Sequence, residues 1–288
     1  MTPSTMPTPL VSTAWLAEQL ESGAGPGPLV VVDGSWYLPS ANRNPRAEFE
    51  AGHVPGAVFW DLDALSDPSS GLPHMLPEPG RLGALIGGLG IGDDSRVVVY
   101  DGSGVNLSAP RIWWTLRVAG HDAVSVLDGG LLAWRAENRP LEPGPPRMVP
   151  RHFTVRFRPD LVASFGEVRS VVGSPEAQLL DARSAGRFAG TEPEPRPGLR
   201  GGHIPGAHNL PFDALTGPDG RLRPDDELRR GYAAAGIDLG RPVVLNCGSG
   251  VSACVHALAL ERLGHRAWSV YDGSWAEWGR DSGGPVER

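Results

Sequence analysis

The chain is written twice. Four landmarks recur in the same order in its two halves. The first half carries "LVVVDGSW" (Leu29–Trp36), "GHVPGA" (Gly52–Ala57), "VVVYDGSGV" (Val97–Val105) and "VLDGGLLAW" (Val126–Trp134). The second carries "LLDARSAGRF" (Leu179–Phe188), "GHIPGA" (Gly202–Ala207), "VVLNCGSGV" (Val243–Val251) and "VYDGSWAEW" (Val270–Trp278). Asp33 answers to Asp181, His53 to His203, Asp101 to Cys247 and Asp128 to Asp272, so the separation stays between 144 and 150 residues throughout. A period that steady marks a duplicated domain, and each copy has an ordinary domain length.

Within each copy, short β-branched runs alternate with stretches of helical period. "LVVVD", "RVVVYD" and "AVSVLDG" are nearly all apolar and end in Asp or Gly, as strands buried on both faces of a parallel sheet do. Arg111–Ala119 and Val251–Leu263 repeat their apolar residues at helical spacing. The expected fold class is α/β: two tandem domains, each a mostly parallel sheet flanked by helices on both faces. Prolines between Asn138 and Pro159 forbid regular structure over much of that segment, which reads as a surface linker. The expected boundaries are 9–139 for the first domain, 140–160 for the linker and 161–288 for the second domain. A further Pro-rich stretch, "GTEPEPRPGLRGG" (Gly190–Gly202), interrupts the second copy and has the shorter counterpart "LPSANRNPRAEFEAG" in the first. Such insertions in compact domains are often functional loops.

Composition removes several classes of function. With 40% hydrophobic and 20% charged residues the chain is globular, and no apolar run approaches the length of a membrane span. "MTPSTMPTPLVST" has no basic stretch followed by an apolar one, so no signal peptide is expected. Two cysteines, Cys247 and Cys254, are too few for a disulfide framework and point to a reducing, cytoplasmic compartment. The net charge of −7 and the lack of a basic stripe argue against nucleic acid as a partner. All 26 Lys+Arg residues are arginine, which excludes Schiff-base chemistry and any lysine-dependent phosphate loop. The histidines are scattered and the cysteines are not CxxC, so no metal site and no cofactor are expected.

Ligands of open α/β sheets bind at the carboxyl ends of strands, and Cys247 stands there, directly after "VVLN". A thiolate is the reactive form of cysteine and must be stabilised at neutral pH. In "CGSGVSA", Gly248 and Gly250 let the backbone bend so that the amides up to Val251 and Ser252 converge on the sulfur. The helix expected from Val251 adds the positive end of its dipole, about 0.3–1 kcal/mol at an exposed site. That cradle suits an anionic sulfur or a persulfide and needs no cationic side chain nearby. A cysteine after a strand is most often a small buried hydrophobe. Here, however, the first copy keeps the loop as "YDGSGV" with Asp101 in the cysteine's place, and a packing cysteine is seldom exchanged for a carboxylate. Cys254, two turns into the expected helix, reads as core.

Two reaction classes use such a cysteine. Cysteine phosphatases need an arginine six residues on to clamp phosphate bidentately, and Ala253 stands there instead. Sulfur transfer, in which the thiolate takes up a sulfane sulfur as a persulfide, has no such requirement.

At these residues the chain resembles the tandem-rhodanese sulfurtransferase family from about Val11 to Asp281. Both GH-x-PGA segments and the closing "DGSWAEW" are similar to family motifs. The loop resembles the Cys-Gly-Ser-Gly-Val-Thr-Ala of 3-mercaptopyruvate sulfurtransferases, with Ser252 for the usual Thr. It differs from the basic Cys-Arg-Lys-Gly-Val-Thr-Ala of rhodanese proper. The resemblance implies that Arg187 and Arg196, in "GRFAGTEPEPR", hold the carboxylate and carbonyl of the donor, a role suited to a planar guanidinium. It also implies that Asp63 and His74, in "FWDLDALSDPSSGLPHMLP", form a proton relay with Ser249. Leu72-Pro73 replaces the family's Tyr-Asp before that histidine. His53 and His203 read as structural.

The expected function is transfer of sulfur from 3-mercaptopyruvate through a Cys247 persulfide to a thiol such as thioredoxin or to cyanide, with release of pyruvate. The alternatives are a thiosulfate sulfurtransferase working with a neutral loop, and a non-catalytic module that carries sulfur or binds partners. The first copy, lacking the cysteine, is expected to be inactive.

Overall fold

The computed structural model describes Met6, residues 9–23 and residues 25–288. Part of Met1–Thr13, on which the expected absence of a leader rests, lies outside the described residues. The chain divides into two compact units, and each is an α/β layer structure.

In the first unit, strands β1 (Leu10–Val11), β2 (Leu29–Asp33), β3 (Val58–Phe59), β4 (Arg96–Tyr100) and β5 (Val124–Leu127) form one sheet in the order β1-β5-β4-β2-β3. Every pairing is parallel. Helices α1 (Thr13–Ser22), α2 (Pro45–Ala51), α3 (Pro79–Gly88), α4 (Ala109–Val118) and α5 (Gly130–Ala136) alternate with the strands. The second unit repeats the plan with β6 (Val162–Ala163), β7 (Gln178–Asp181), β8 (His208–Asn209), β9 (Val243–Asn246) and β10 (Trp268–Tyr271), ordered β6-β10-β9-β7-β8 and again parallel. Its helices are α6 (Phe165–Val171), α7 (Ala185–Phe188), α8 (Asp225–Ala234), α9 (Ala253–Arg262) and α10 (Ser274–Trp278). The central strands β4 and β9 are buried at every position, which is why they read as unbroken apolar runs rather than alternating ones.

Each unit has its own core. Val31, Phe49, Val98, Tyr100, Leu127 and Trp134 pack together in the first. Leu179, Ile204, Val244, Tyr271, Trp275 and Trp278 do so in the second. The repeat extends to devices invisible as motifs. Each GH-x-PGA histidine donates from Nδ1 to a phenylalanine carbonyl and stacks on that ring: His53 on Phe49 at 3.9 Å and His203 on Phe188 at 3.7 Å. Each pairs its backbone with a downstream glutamate, Glu142 or Glu287, whose carboxylate accepts from Gly56 N or Gly206 N. These histidines hold their turns in place, and the structural reading of both stands.

The units depart from the expected boundaries in three places. Residues up to Arg158 belong to the first unit. The Pro-rich segment is irregular, but it is strapped down rather than free: Arg151 N and Arg156 N donate to Gly87 O and Ala119 O, and Phe153 is buried. Thr216–Leu222 also belongs to the first unit, where Asn106 Nδ2 donates to Gly220 O and Leu222 N to Asp128. Conversely, Asp67–Met75 belongs to the second unit, so His74 sits in the same compact body as Cys247. Strand and helix period carry no signal for exchanges of seven or nine irregular residues.

Candidate active site

Strand β9 ends at Asn246, α9 begins at Ala253, and the turn between them holds Cys247. The helix starts two residues later than expected, so Cys254 lies in its first turn, not two turns in. It is fully buried, and its thiol donates to Gly250 O at 3.2 Å, tying helix to loop. Gly250 has φ +73°, a conformation open to glycine at little cost. Cys247 is 1% exposed. Its N–H donates to Ser274 Oγ at 3.2 Å, and its carbonyl accepts from Trp275 N at 3.0 Å. Ala276 N donates to Gly248 O at 2.9 Å. The start of α10 thus clamps the backbone on both sides of the sulfur. Val251 and Ser249 are buried, while Gly248 and Ser252 are half-exposed.

The loop carries no cationic residue of its own, but one stands beside it. A Cβ on Gly248 would stand 3.0 Å from Arg187 Nη2, so the guanidinium lies directly against the residue following the cysteine. A side chain at this position would press on the tip of Arg187, so glycine leaves the guanidinium room. Arg187 sits on the last turn of the short α7, whose first turn is capped by Ser184. Glu194 accepts from Arg187 Nε at 3.2 Å and from Nη2 at 2.7 Å. Arg196 follows two residues later in the same loop and is half-buried.

His74 and Ser249, 175 positions apart in sequence, meet: Nδ1 is 2.9 Å from Oγ, and both residues are 4% exposed. His74 adopts φ +61°, a left-handed conformation that disfavours a side-chain-bearing residue and persists only where its surroundings impose it. Asp63, the third member of the expected relay, belongs to the first unit, where the Trp36 indole N–H donates to its Oδ2 at 3.3 Å.

The first copy shows what this loop can hold. Asp101, at the cysteine's place, accepts from Ser103 N at 2.8 Å, Ser103 Oγ at 2.5 Å, Ser108 N at 2.9 Å and Ala109 N at 2.8 Å. Three backbone amides and a hydroxyl converge on an anion. Helix α4 starts at Ala109 and α9 at Ala253, so the corresponding groups in the second copy belong to Ser249, Ser252 and Ala253. Each copy sets an arginine beside its loop, but from a different place in the chain: Arg43 Nη1 donates to Gly102 O in the first copy. Arg187 precedes the stacking Phe188, whereas Glu48 precedes the stacking Phe49 and is paired with Arg43 and the Tyr37 hydroxyl.

Sequence reasoning missed Glu194, Asp181, Arg183, Asn246 and Ser274. The signal for the first lay in "TEPEPR", where two glutamates, Glu192 and Glu194, fall between the two candidate arginines. Arg183 is completely buried against Asp181. Burial alone would drag its guanidinium down, but the Asp181 and Glu194 carboxylates outweigh that and raise it above its usual value. Among the described residues, no group of three or more His, Cys, Asp or Glu is placed to hold a metal ion, and no helix is long and apolar enough to cross a membrane.

The repeated parallel α/β unit, with a cysteine at the carboxyl end of a central strand in its second copy, agrees with what comparison with known proteins finds. A model described as the rhodanese-like domain matches residues 12–137 and again 164–281. The chain belongs to the tandem-rhodanese sulfurtransferase family. It is 43% identical over 270 residues to the 3-mercaptopyruvate sulfurtransferase of Homo sapiens, covering 93% of this chain and 91% of that one. It is 43% identical over 272 residues to the thiosulfate sulfurtransferase of Cricetulus griseus, with 93% and 91% covered. The crystal structure of SseA from Escherichia coli, described with the rhodanese fold of 3-mercaptopyruvate sulfotransferases, superposes with a TM-score of 0.83 at 39% identity. That match covers 94% of this chain and all of the other.

Proposed function

We propose that this sulfurtransferase takes its sulfur from 3-mercaptopyruvate, carries it as a persulfide on Cys247 and delivers it to a thiol such as thioredoxin or to cyanide. The Cys247 thiolate attacks the donor sulfur and the C–S bond breaks, leaving its electron pair on carbon as the enolate of pyruvate. The enolate takes up a proton, and the His74–Ser249 pair is the candidate to supply it. An acceptor thiolate or cyanide then attacks the outer sulfur, the S–S bond breaks, and the Cys247 thiolate returns. The amides of Ser249, Ser252 and Ala253 are the candidate cradle for the thiolate and persulfide, by analogy with the amides that hold Asp101. Arg187 and Arg196 are the candidate grips on the donor carboxylate and carbonyl.

The observation that carries this reading is the Arg187 guanidinium lying against Gly248. It puts the anion-recognising charge beside a neutral loop, which suits a donor whose carboxylate is separated from its reactive sulfur. Thiosulfate, whose charge sits next to that sulfur, is the second reading, supported by relatives named thiosulfate sulfurtransferase. Measuring kcat/KM for both donors separates the two, and a clear preference for thiosulfate would sink the mercaptopyruvate reading. A protein that gains no sulfur from either donor would be the binding module instead. A reducing, cytoplasmic setting belongs to the same reading and rests on two free, buried thiols; one plant relative is named as mitochondrial.

A further inference from the structure

A ring of side chains runs between Asn246 and Gly248, the residues on either side of Cys247, with polar contacts at every step but the last, where a guanidinium packs against Gly248. Asn246 Nδ2 donates to Asp181 Oδ2 at 3.0 Å. Asp181 accepts from Arg183 Nε and Nη2, the latter at 2.6 Å. Arg183 Nη1 reaches Glu194 Oε1 at 2.8 Å, and the other oxygen of Glu194 accepts from Arg187 Nη2 at 2.7 Å. Arg187 closes the ring by lying against Gly248. Arg183 is pinned further, stacking 4.2 Å above the Trp275 ring and donating to Gly202 O, while Trp275 N–H donates to Cys247 O.

The charges alternate along this ring: Asp181, Arg183, Glu194, Arg187. The first two side chains are fully buried, Glu194 is 2% exposed and Arg187 is 17% exposed. Glu194 is therefore the turning point between a fixed interior and the only ring member that reaches solvent to a useful degree. It binds Arg187 side-on, through Nε and Nη2, and Arg187 Nη1 makes no hydrogen bond to any described residue. A long arginine on a four-residue helix would otherwise sample many rotamers, and freezing it in advance lowers the cost of binding a donor.

We infer that Glu194 is a positioning residue for donor binding: backed by Arg183, it holds Arg187 over the cysteine loop with Nη1 free to receive an anion. This rests on the reading of Cys247 as the persulfide carrier. The role concerns only the half-reaction that uses a carboxylate-bearing donor, because discharge of the persulfide needs no grip by Arg187.

The two half-reactions test it. Cys247 persulfide formation is followed by rapid quench and intact mass spectrometry against 3-mercaptopyruvate concentration, and discharge by adding cyanide to preloaded protein. In Glu194→Gln the half-saturating donor concentration should rise about tenfold, while final stoichiometry and discharge rate stay within about twofold of wild type. Glu194→Asp, which keeps the charge, should recover part of the loss, and it serves as the test variant if Glu194→Gln does not fold. An unchanged loading curve in a folded variant would overturn the proposal, as would an equal fall in both half-reactions, which is the mark of general structural damage. A wild-type protein that loads no sulfur at Cys247 would overturn the sulfurtransferase reading itself, and this proposal with it.

Discussion

Arg187 and Ser249 are the two side chains whose geometry states most about chemistry. Arg187 offers a planar fork already fixed by Glu194, so its substitution removes orientation as well as charge. Arg187→Ala should lower kcat/KM for 3-mercaptopyruvate by about 10²-fold, and Arg187→Lys should restore little, since an ammonium cannot keep the side-on pair and also face the donor. Steady-state kinetics checks both. Ser249→Ala breaks the 2.9 Å contact with His74 and should lower kcat by about 10²-fold, more than it changes KM, if a proton passes through that pair. A KM effect alone would assign Ser249 to binding. At this scale the sequence singled out Cys247 as the candidate nucleophile, because it and Asp101 occupy one position of a repeat. For Glu194 it offered only a place between two candidate arginines, because the partner that gives the residue a role, Arg183, is buried and eleven residues away.

The strand–loop–helix element explains why one architecture can hold a sulfur in one copy and a carboxylate in the other. In the first copy Asp101 is the built-in occupant of the cradle. Asp101→Ala would leave three amides without their acceptor in a buried setting, at a cost of about 2–4 kcal/mol to the first unit. Asp101→Asn keeps an acceptor oxygen and should lose about half as much or less. Denaturant unfolding of the two variants measures the difference, and equal losses would mean that the loop does not depend on the carboxylate. Strands β2, β4 and β5 and helices α4 and α9 were legible from apolar runs and helical period. The two-residue edge strands β1, β3, β6 and β8 were not, since two residues have no period to read. Nor was the start of α9, where the glycine turn continues two residues into a stretch whose apolar spacing already looks helical.

Across the whole molecule, duplication with divergence has left the copies with different electrostatic interiors. Asp181 is paired with Arg183, but its counterpart Asp33 is followed by Ser35 in place of that arginine. Burial pushes Asp33 up to about 6, against the hydrogen bonds from Ser35 and Tyr100, which pull it down. A carboxyl raised on folding favours the native state below its unfolded value of 3.8, and that contribution is lost as pH rises through about 6. The first unit should therefore lose stability between about pH 4 and 7, by at most about 3 kcal/mol from this group. Asp33→Asn should flatten that slope in pH-dependent melting, and an unchanged slope would assign it to other carboxyls. The exchanged segments also belong to this scale. His74 lies in the first repeat by sequence and in the second unit by contact, which no local pattern could announce. What ties these observations to function is a single covalent event. Intact mass spectrometry after incubation with 3-mercaptopyruvate should show the gain of one sulfur atom per chain, lost on adding cyanide and absent in Cys247→Ser. The same gain in Cys247→Ser, or none in the wild-type protein, would contradict a persulfide held in this loop.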